Sequence, residues 1–144
     1  MGKKRIIKKA GGGVDSGLKS RSLSRVPKKK IDKGVLHIQA TFNNTKLLLS
    51  DLAGNAVMWS SSGALGFKGA KKGTPFAAAK VGEVLGEKAH IMGMKDVDVI
   101  MRGVGSGRES SLRAFSAKGI GVTSIKDMTP VPFNGPRPKK PRRV

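Results

Sequence analysis

Apolar side chains alternate along the first regular part of the sequence. Between Val35 and Phe42 every second residue is apolar, which is the period of a strand with one buried face. After Asn43 and Asn44 the alternation changes parity and continues through a second strand. A two-residue turn explains the change, because Phe42 then faces Thr45 and both strands keep one apolar face. Asn tolerates the left-handed backbone that such a turn requires.

The next segment predicts a third strand and a helix. A turn over Asp51–Asn55 leads to a strand over 56–61, which completes an antiparallel meander. Thr74 is the predicted N-cap of a helix, with Pro75 in its first turn and Gly93 as its C-cap. The apolar positions of this helix predict its buried side: Ala77, Val81, Val84, Leu85 and Ala89.

The last elements are a fourth strand over 96–102, a second helix and a fifth strand over 122–127. The helix is predicted to begin near Ser106 and to end at Gly119, because Ser106 and Glu109 have the spacing of a capping box. The order β-β-β-α-β-α-β predicts an α/β fold in which helices pack on one mixed five-stranded sheet. Strands four and five are parallel in this arrangement.

The charge of the chain indicates an anionic partner. The 144 residues carry a formal net charge of +20, and they include no Cys that could form a disulfide or a thiolate metal site. Nucleic acid is the leading partner. The alternative, an anionic membrane surface, requires a basic amphipathic helix that does not appear, and no apolar run is long enough to span a bilayer.

The excess charge lies mainly at the two ends. Residues 1–33 carry 12 Lys and Arg against 2 Asp, and residues 134–144 carry 5 Lys and Arg with no acid. We therefore predict a basic flexible arm (1–33), a globular α/β domain (34–129) and a basic Pro-rich tail (130–144). The arm lacks an apolar period and is expected to have no regular structure alone in water. The alternative is that both ends only increase solubility.

Four stretches resemble one protein family. HIQATFNNT (37–45), WSSSGALGFKGAKKGTPFAAA (59–79), GSGRES (105–110) and TPVPFNGPRPKKPRRV (129–144) are similar to the bacterial form of the universal small-subunit ribosomal protein eleven family. The resemblance covers residues 34–144. The chain departs from the pattern of the family in its longer N-terminal arm. It also has Phe133 where the family often has His, and Pro136 where the family often has Cys.

The resemblance implies a ribonuclease-H-like sheet and a structural role in translation. The implied place is the platform of the small ribosomal subunit, near the mRNA exit side, where the protein supports subunit assembly. The implied partners are small-subunit rRNA, neighbouring ribosomal proteins of the platform and mRNA near the exit. It implies no cofactor, no small-molecule substrate and no membrane, and a cytoplasmic ribosome of bacterial type, with an organelle ribosome as the alternative.

A glycine-rich loop between the fourth strand and the following helix is the first candidate site. Gly105, Ser106 and Gly107 lie where free N–H groups of a helix N-terminus favour an anion, and Arg108 could add a bidentate contact to a phosphate. The alternative is a tight turn with a capping box. A dinucleotide site is a weaker alternative, since the spacing is GxGxG rather than GxGxxG.

The loop over 60–74 is the second candidate site. An exposed Phe67 could stack on an RNA base while Lys68, Lys71 and Lys72 neutralise phosphates. In the alternative, Phe67 is a core residue of the loop. Trp59 is expected in the core or an interface rather than under a base.

The loops, the tail and the resemblance together give one predicted set of RNA-binding residues. These are Asn43, Asn44, Thr45, Ser61, Ser62, Gly63, Phe67, Lys68, Gly69, Lys71, Lys72, Thr74, Gly105, Ser106, Gly107, Arg108, Arg113, Asn134, Gly135, Arg137, Lys139, Lys140, Arg142 and Arg143.

Catalysis and metal binding are not expected. His37 and His90 lie far apart in sequence without further ligands. A nuclease needs several clustered carboxylates, and although Asp96 and Asp98 share a strand face, the first strand contains no acid. A DNA-packaging protein is a further alternative; it explains the charge but not the mixed α/β domain.

Asn134 precedes Gly135 in the tail, and this pair is a candidate site of isoaspartate formation. Gly offers little obstruction to attack of its amide nitrogen on the Asn side chain. Pro residues on both sides restrict the backbone around the pair. The alternative is an ordinary Asn in a turn, with its side chain bonded to its own backbone.

Overall fold

The computed structural model describes residues 16–24 and 26–141 of the chain. The regular elements, in chain order, are α1 (Ser16–Ser24), β1 (Lys33–Ala40), β2 (Thr45–Ser50), β3 (Ala56–Ser61), a 3-10 turn (Gly69–Gly73), α2 (Pro75–Ile91), β4 (Asp96–Arg102), α3 (Gly107–Ser116) and β5 (Gly121–Asp127).

Five strands form one mixed sheet in the order β3-β2-β1-β4-β5. The meander β1, β2 and β3 is antiparallel, whereas β4 pairs in parallel with both β1 and β5. Each parallel pair needs a long connection, and α2 and α3 provide the connections into β4 and β5. The predicted α/β fold with its five-stranded mixed sheet is therefore confirmed, although the ribonuclease-H-like label fits it only loosely.

The core lies between one face of the sheet and the two long helices. Alternate residues of the central strands, such as Leu36 and Val99, are fully buried against α2 and against Phe115 of α3. All five positions predicted for the buried side of α2 are indeed buried. Burial of each large apolar side chain contributes about 1.5–3 kcal/mol, so this single layer of contacts stabilises most of the domain.

The β1–β2 connection is longer than predicted. β1 ends at Ala40, which pairs with Thr45, so the loop contains four residues rather than two. The Thr41 N–H donates to the Asn44 carbonyl at 2.8 Å, and Phe42 is 77% exposed. Asn134 is the one non-glycine with positive φ among the described residues, so the left-handed Asn turn was wrong. The shared apolar face is confirmed, because a shift of two residues preserves side-chain parity.

The caps predicted for α2 are present, whereas the cap predicted for α3 is not. The Thr74 hydroxyl accepts from the Ala77 N–H at 3.3 Å, and Gly93 adopts φ +84° just after the C-cap, so α2 is capped as expected. The capping box predicted for α3 is wrong. The Ser106 side chain caps no α3 N–H, and α3 ends at Ser116 instead of Gly119. Ser106 instead donates to a carbonyl on another loop.

Part of the basic arm is regular where it contacts the domain, whereas the prediction concerned the arm alone in water. Ser16–Ser24 forms α1, while residues 1–15 lie outside the described part. Leu23 lies at a shallow depression that α2 and Lys118 also line, and Val26 and Ile31 pack against the core. A helix of nine residues is marginal alone, so these contacts with the domain explain why it forms. No helix within the described ranges is long and apolar enough to cross a membrane.

Candidate nucleic-acid interface

Three loops that are distant in sequence meet at one end of the sheet. They are the β1–β2 loop (41–44), the β3–α2 loop (62–74) and the β4–α3 loop (103–106), and together we call them the loop edge. The Gly105 N–H donates to the Ala40 carbonyl at 3.0 Å, and the Ser106 hydroxyl donates to the Gly73 carbonyl at 3.0 Å. The Ser62 N–H donates to the Thr45 carbonyl at 3.0 Å. The loops therefore form one surface.

Three glycines in or beside the loop edge, Gly73, Gly105 and Gly107, lie where another segment of the chain approaches closely. A Cβ on Gly73 would stand 2.0 Å from the Phe42 carbonyl oxygen, and one on Gly105 would stand 2.3 Å from that of Thr41. A Cβ on Gly107 would stand 2.3 Å from Thr45 Oγ1. These separations leave no room for a side chain. The Gly105 N–H and the space around Gly105 are therefore used within the protein, so Gly105 itself offers no phosphate contact in this geometry. The rest of the phosphate site predicted at this loop stays a prediction.

Arg108 binds the protein rather than projecting outward. Its Nη1 donates to the Gly103 carbonyl at 2.8 Å, and its Nη2 forms an ion pair with Asp127. Hydrogen bonds from Thr129 and then from Arg108 lower the pKa of Asp127 from 3.8 to about 2. The bidentate phosphate contact expected of Arg108 is thus not available in this geometry. The side chain instead joins the β4–α3 loop to the end of β5.

Phe67 is buried, so the exposed aromatic predicted in the second loop is wrong. Its ring packs edge-to-face against Phe76, with centroids 6.2 Å apart. The apolar ring stabilises the long loop from within, as in the alternative interpretation that Phe67 is a core residue of the loop. Its neighbours Lys68 and Lys71 are exposed and Lys72 is half-buried, and none of the three forms an ion pair with a described residue.

The tail leaves the domain at the loop edge. The Met128 N–H donates to the Met101 carbonyl at 2.9 Å, and the Gly103 N–H donates to Thr129 Oγ1 at 3.2 Å. Every residue from Pro130 to the end of the described chain is exposed. The basic tail therefore starts at the same end of the sheet as the β4–α3 loop.

The predicted site residues divide into three groups by exposure. Six are buried and shape the loops from inside: Thr45, Ser61, Ser62, Phe67, Gly105 and Gly107. The others that the structure describes are exposed or half-buried: Asn43, Asn44, Gly63, Lys68, Gly69, Lys71, Lys72, Thr74, Ser106, Arg108, Arg113, Asn134, Gly135, Arg137, Lys139 and Lys140. Arg142 and Arg143 lie outside the described residues.

A family model gives this basic surface its biological context. The model described as "Ribosomal protein S11" matches residues 34–143, the stretch in which the sequence resemblance was found. The chain belongs to the ribosomal protein S11 family. It is therefore a structural protein of the small ribosomal subunit that binds rRNA and works beside other ribosomal proteins in the ribosome. The S11 family is not a family of enzymes.

This S11 chain has a second exposed surface that the sequence did not predict as a site. We call it the open face; it is the sheet face opposite α2 and α3. Strand pairing places Trp59, Leu48, His37, Ile100 and Lys126 in one row across all five strands. Trp59 is 62% exposed, so it does not lie in the core; an interface, the other place expected for it, stays a prediction.

A more polar row lies beside the first one on the open face. Ser61, Lys46, Gln39 and Arg102 occupy successive strands of this row. The sequence signal for both rows was the period of two, which places Lys46 with Leu48 and Arg102 with Ile100 on one face. Composition alone gave no reason to choose these positions.

Several titratable groups of the S11 domain have partners within the protein. Among the described residues no three His, Asp or Glu side chains lie close enough to hold a metal ion. His37 Nε2 lies 3.2 Å from Ser50 Oγ, and burial together with the positive charge of Arg102 lowers the pKa of His37. The Asp98 carboxylate accepts from the Ser124 hydroxyl at 2.6 Å. These groups have structural partners.

Proposed function

We propose that the loop edge and the tail form one continuous rRNA-binding surface at the platform of the small subunit, near the mRNA exit side. The observation that carries the proposal is the meeting of three loops with the start of the tail at one end of the sheet. Binding there supports subunit assembly and translation, because one protein surface then fixes several RNA segments relative to each other.

The exposed cations supply most of the affinity in this proposal. Lys68, Lys71 and Lys72 on the loop edge and Arg137, Lys139 and Lys140 on the tail neutralise phosphates and release counterions. Phosphate contacts position a protein on RNA, and contacts to bases and 2′-hydroxyls specify the site. The remaining exposed or half-buried residues of the loop edge and tail form those contacts: Asn43, Asn44, Gly63, Gly69, Thr74, Ser106, Asn134 and Gly135. Arg113, which lies on α3 and pairs with Glu109, is a further RNA contact in this proposal.

The buried members of the predicted set contribute in another way. Thr45, Ser61, Ser62 and Phe67 shape the loops from within, and Arg108 joins the β4–α3 loop to β5. A surface made of loops loses less entropy on binding when the loops are already ordered. These residues therefore act on RNA affinity through the shape of the surface.

The proposal extends to organisation and location. Residues 1–33 act as a basic arm and 130–144 as a basic tail on the 34–129 domain. The neighbouring partners are platform proteins and mRNA near the exit. The ribosome is a cytoplasmic one of bacterial type, with the organelle ribosome as the alternative.

Sedimentation tests the proposed function directly. The full chain should sediment with the small ribosomal subunit after a high-salt wash. A variant with Lys68, Lys71 and Lys72 changed to Ala should be released at lower salt, whereas Lys80→Ala should not, because Lys80 already pairs with Glu83 at 3.0 Å. Recovery of the native protein only in the soluble fraction would contradict the proposal.

Nuclease activity is the second candidate function, because a mixed sheet of this kind could carry it. The positions of the carboxylates disfavour it. Asp51 follows β2 and Asp127 ends β5, and strand directions place them at opposite ends of the sheet. We therefore expect no hydrolysis of RNA:DNA hybrids with Mg²⁺ or Mn²⁺. Metal-dependent cleavage that Asp98→Asn abolishes would establish catalysis instead.

Equal affinity for duplex DNA and rRNA fragments would favour a DNA-packaging protein.

A further inference from the structure

The open face combines apolar and basic side chains in adjacent rows. Trp59 is 62% exposed, and Leu48 and Ile100 are half-buried beside it in the row. Lys46 and Arg102 lie in the next row, two residues along their strands. Because a strand rises about 3.4 Å per residue, these cations stand about 7 Å from the apolar row.

The depression at the centre of this face has a volume of about 510 Å³. Trp59, Leu48, His37, Lys46 and Arg102 are among its lining residues, and no acidic residue lines it. Lys46 and Arg102 form no ion pair within the part of the chain that the structure describes. A partner therefore meets an apolar floor and two unneutralised cations.

We propose that the open face binds unpaired RNA, with a base stacked on Trp59 and the flanking phosphates at Lys46 and Arg102. Bases offer flat apolar faces, and the backbone that links them carries one negative charge per nucleotide. The two rows present an aromatic ring for the base and, about 7 Å away along the strands, cations for the phosphates. The inference rests on the proposed function, which makes RNA the partner, and adds a second surface and the single-stranded class of its ligand.

The open face is continuous with the loop edge. A smaller cavity of about 170 Å³ is lined by Gln39, Thr41, Asn44 and Lys46, and two of these residues also line the central depression. RNA at the β1–β2 loop can therefore continue onto the sheet without leaving the protein. An acidic protein segment is the competing occupant, because it would also satisfy the cations. It lacks the series of planar groups that Trp59 favours.

Tryptophan fluorescence isolates this surface, because Trp59 is the only Trp in the chain. The full chain should be titrated with a single-stranded oligoadenylate, with an abasic oligonucleotide of equal length, and with polyglutamate. The oligoadenylate should quench Trp59, whereas the abasic strand should bind more weakly and leave the emission nearly unchanged. If the abasic strand quenched Trp59 and bound as strongly as the oligoadenylate, charge attraction alone would explain binding, and the inference would be overturned. An equal response to polyglutamate would indicate the acidic-protein alternative and overturn it too.

A second experiment measures the affinity of Trp59 variants for fluorescently labelled oligoadenylate. Trp59→Ala should weaken binding about 5- to 100-fold, as expected for loss of one base stack, while Trp59→Phe should retain most of the affinity. An exposed side chain is replaced, so the urea midpoint should change little. Equal affinity of Trp59→Ala and the native chain would contradict the inference.

A loop-edge variant separates this inference from the proposed function. Lys68→Ala with Lys71→Ala should weaken binding to rRNA fragments and leave quenching of Trp59 by oligoadenylate unchanged. If the native chain binds rRNA fragments while Trp59 gives no response to any RNA, the open-face inference fails alone. If the native chain binds no rRNA fragment, the proposed function fails.

Discussion

The Ser106 hydroxyl donates a hydrogen bond of 3.0 Å to the Gly73 carbonyl, and this bond joins two loops that are 33 residues apart in sequence. Ser106 had the spacing of a helix cap, but its side chain stabilises a loop–loop contact instead. The Phe42 carbonyl also lies close to Gly73, so a third loop packs against the same residue. The candidate RNA surface is thus a packed part of the fold.

Substitution at Gly105 should reduce stability before it affects RNA binding. A Cβ there would stand 2.3 Å from the Thr41 carbonyl oxygen, so Gly105→Ala should cost about 1–3 kcal/mol, and Gly105→Val should cost more. Urea unfolding measures the change. Gly63→Ala is the matched control, because its nearest neighbour would be Lys72 Cδ at 3.8 Å. Equal stability of the two Ala variants, or a Gly105→Val protein that folds normally and fails only in assembly, would restore the phosphate-loop hypothesis.

The loop-edge lysines should determine part of the salt dependence of RNA binding. Each phosphate contact contributes about 0.7–0.9 to the slope of log affinity against log salt. Replacing Lys68, Lys71 and Lys72 with Ala should therefore reduce the slope by about 2–3. Filter binding to small-subunit rRNA fragments across a salt series measures it. Lys80→Ala is the control, and a triple variant with the native slope would show that these lysines contact no phosphate.

Removal of the tail should have a separate effect on the same slope. Residues 134–144 contain five Lys and Arg, and the described ones are exposed. A chain ending at Phe133 should bind rRNA fragments with a flatter salt dependence, and its urea midpoint should be nearly native because these residues are outside the core. An unchanged slope would show that the tail binds no phosphate.

The Asp127 network predicts a pH effect on stability. Hydrogen bonds from Thr129 and Arg108 lower the pKa of this carboxyl to about 2, below its value of about 3.9 in an unfolded chain. The ionised group therefore stabilises the fold above about pH 4, and that contribution is lost as the pH falls from about 4 towards 2. The difference in thermal midpoint between native protein and Asp127→Asn should shrink over this range. A constant difference would contradict the network.

Asn134 remains the candidate for isoaspartate formation. It adopts φ +53°, and the side chain is exposed with no hydrogen bond to any described residue. The turn alternative requires a bond from its side chain to its own backbone, and that bond is absent from the described structure. We predict isoaspartate at this position in protein from assembled subunits, with Asn134→Gln as the unreactive control. Peptide mapping by electron-transfer fragmentation that finds only intact Asn134 would exclude it.

The sequence alone was sufficient to predict the five strands, the helices α2 and α3 and nucleic acid as the leading partner, but not α1. Strand period, helix period and the Thr74-Pro75 cap depend on neighbours within a few residues, so local patterns were sufficient. The same is true of charge, which is a property of composition. Parity also placed the β1 and β2 faces correctly although the turn length was wrong, since a two-residue shift leaves every side chain on its own face.

Tertiary structure decided which of the candidate residues remain available to a ligand. Gly105, Phe67 and Arg108 had the residue types of a phosphate and base site. However, the Thr41 carbonyl occupies the space beside Gly105, and the Phe67 ring packs against Phe76. The Arg108 guanidinium is bonded to the Gly103 carbonyl and to Asp127. Trp59, which was expected in the core or an interface, is exposed because both long helices pack on the other face of the sheet. Which face is covered and which donor is already bonded depend on contacts between residues tens of positions apart, and local patterns contain no information about them.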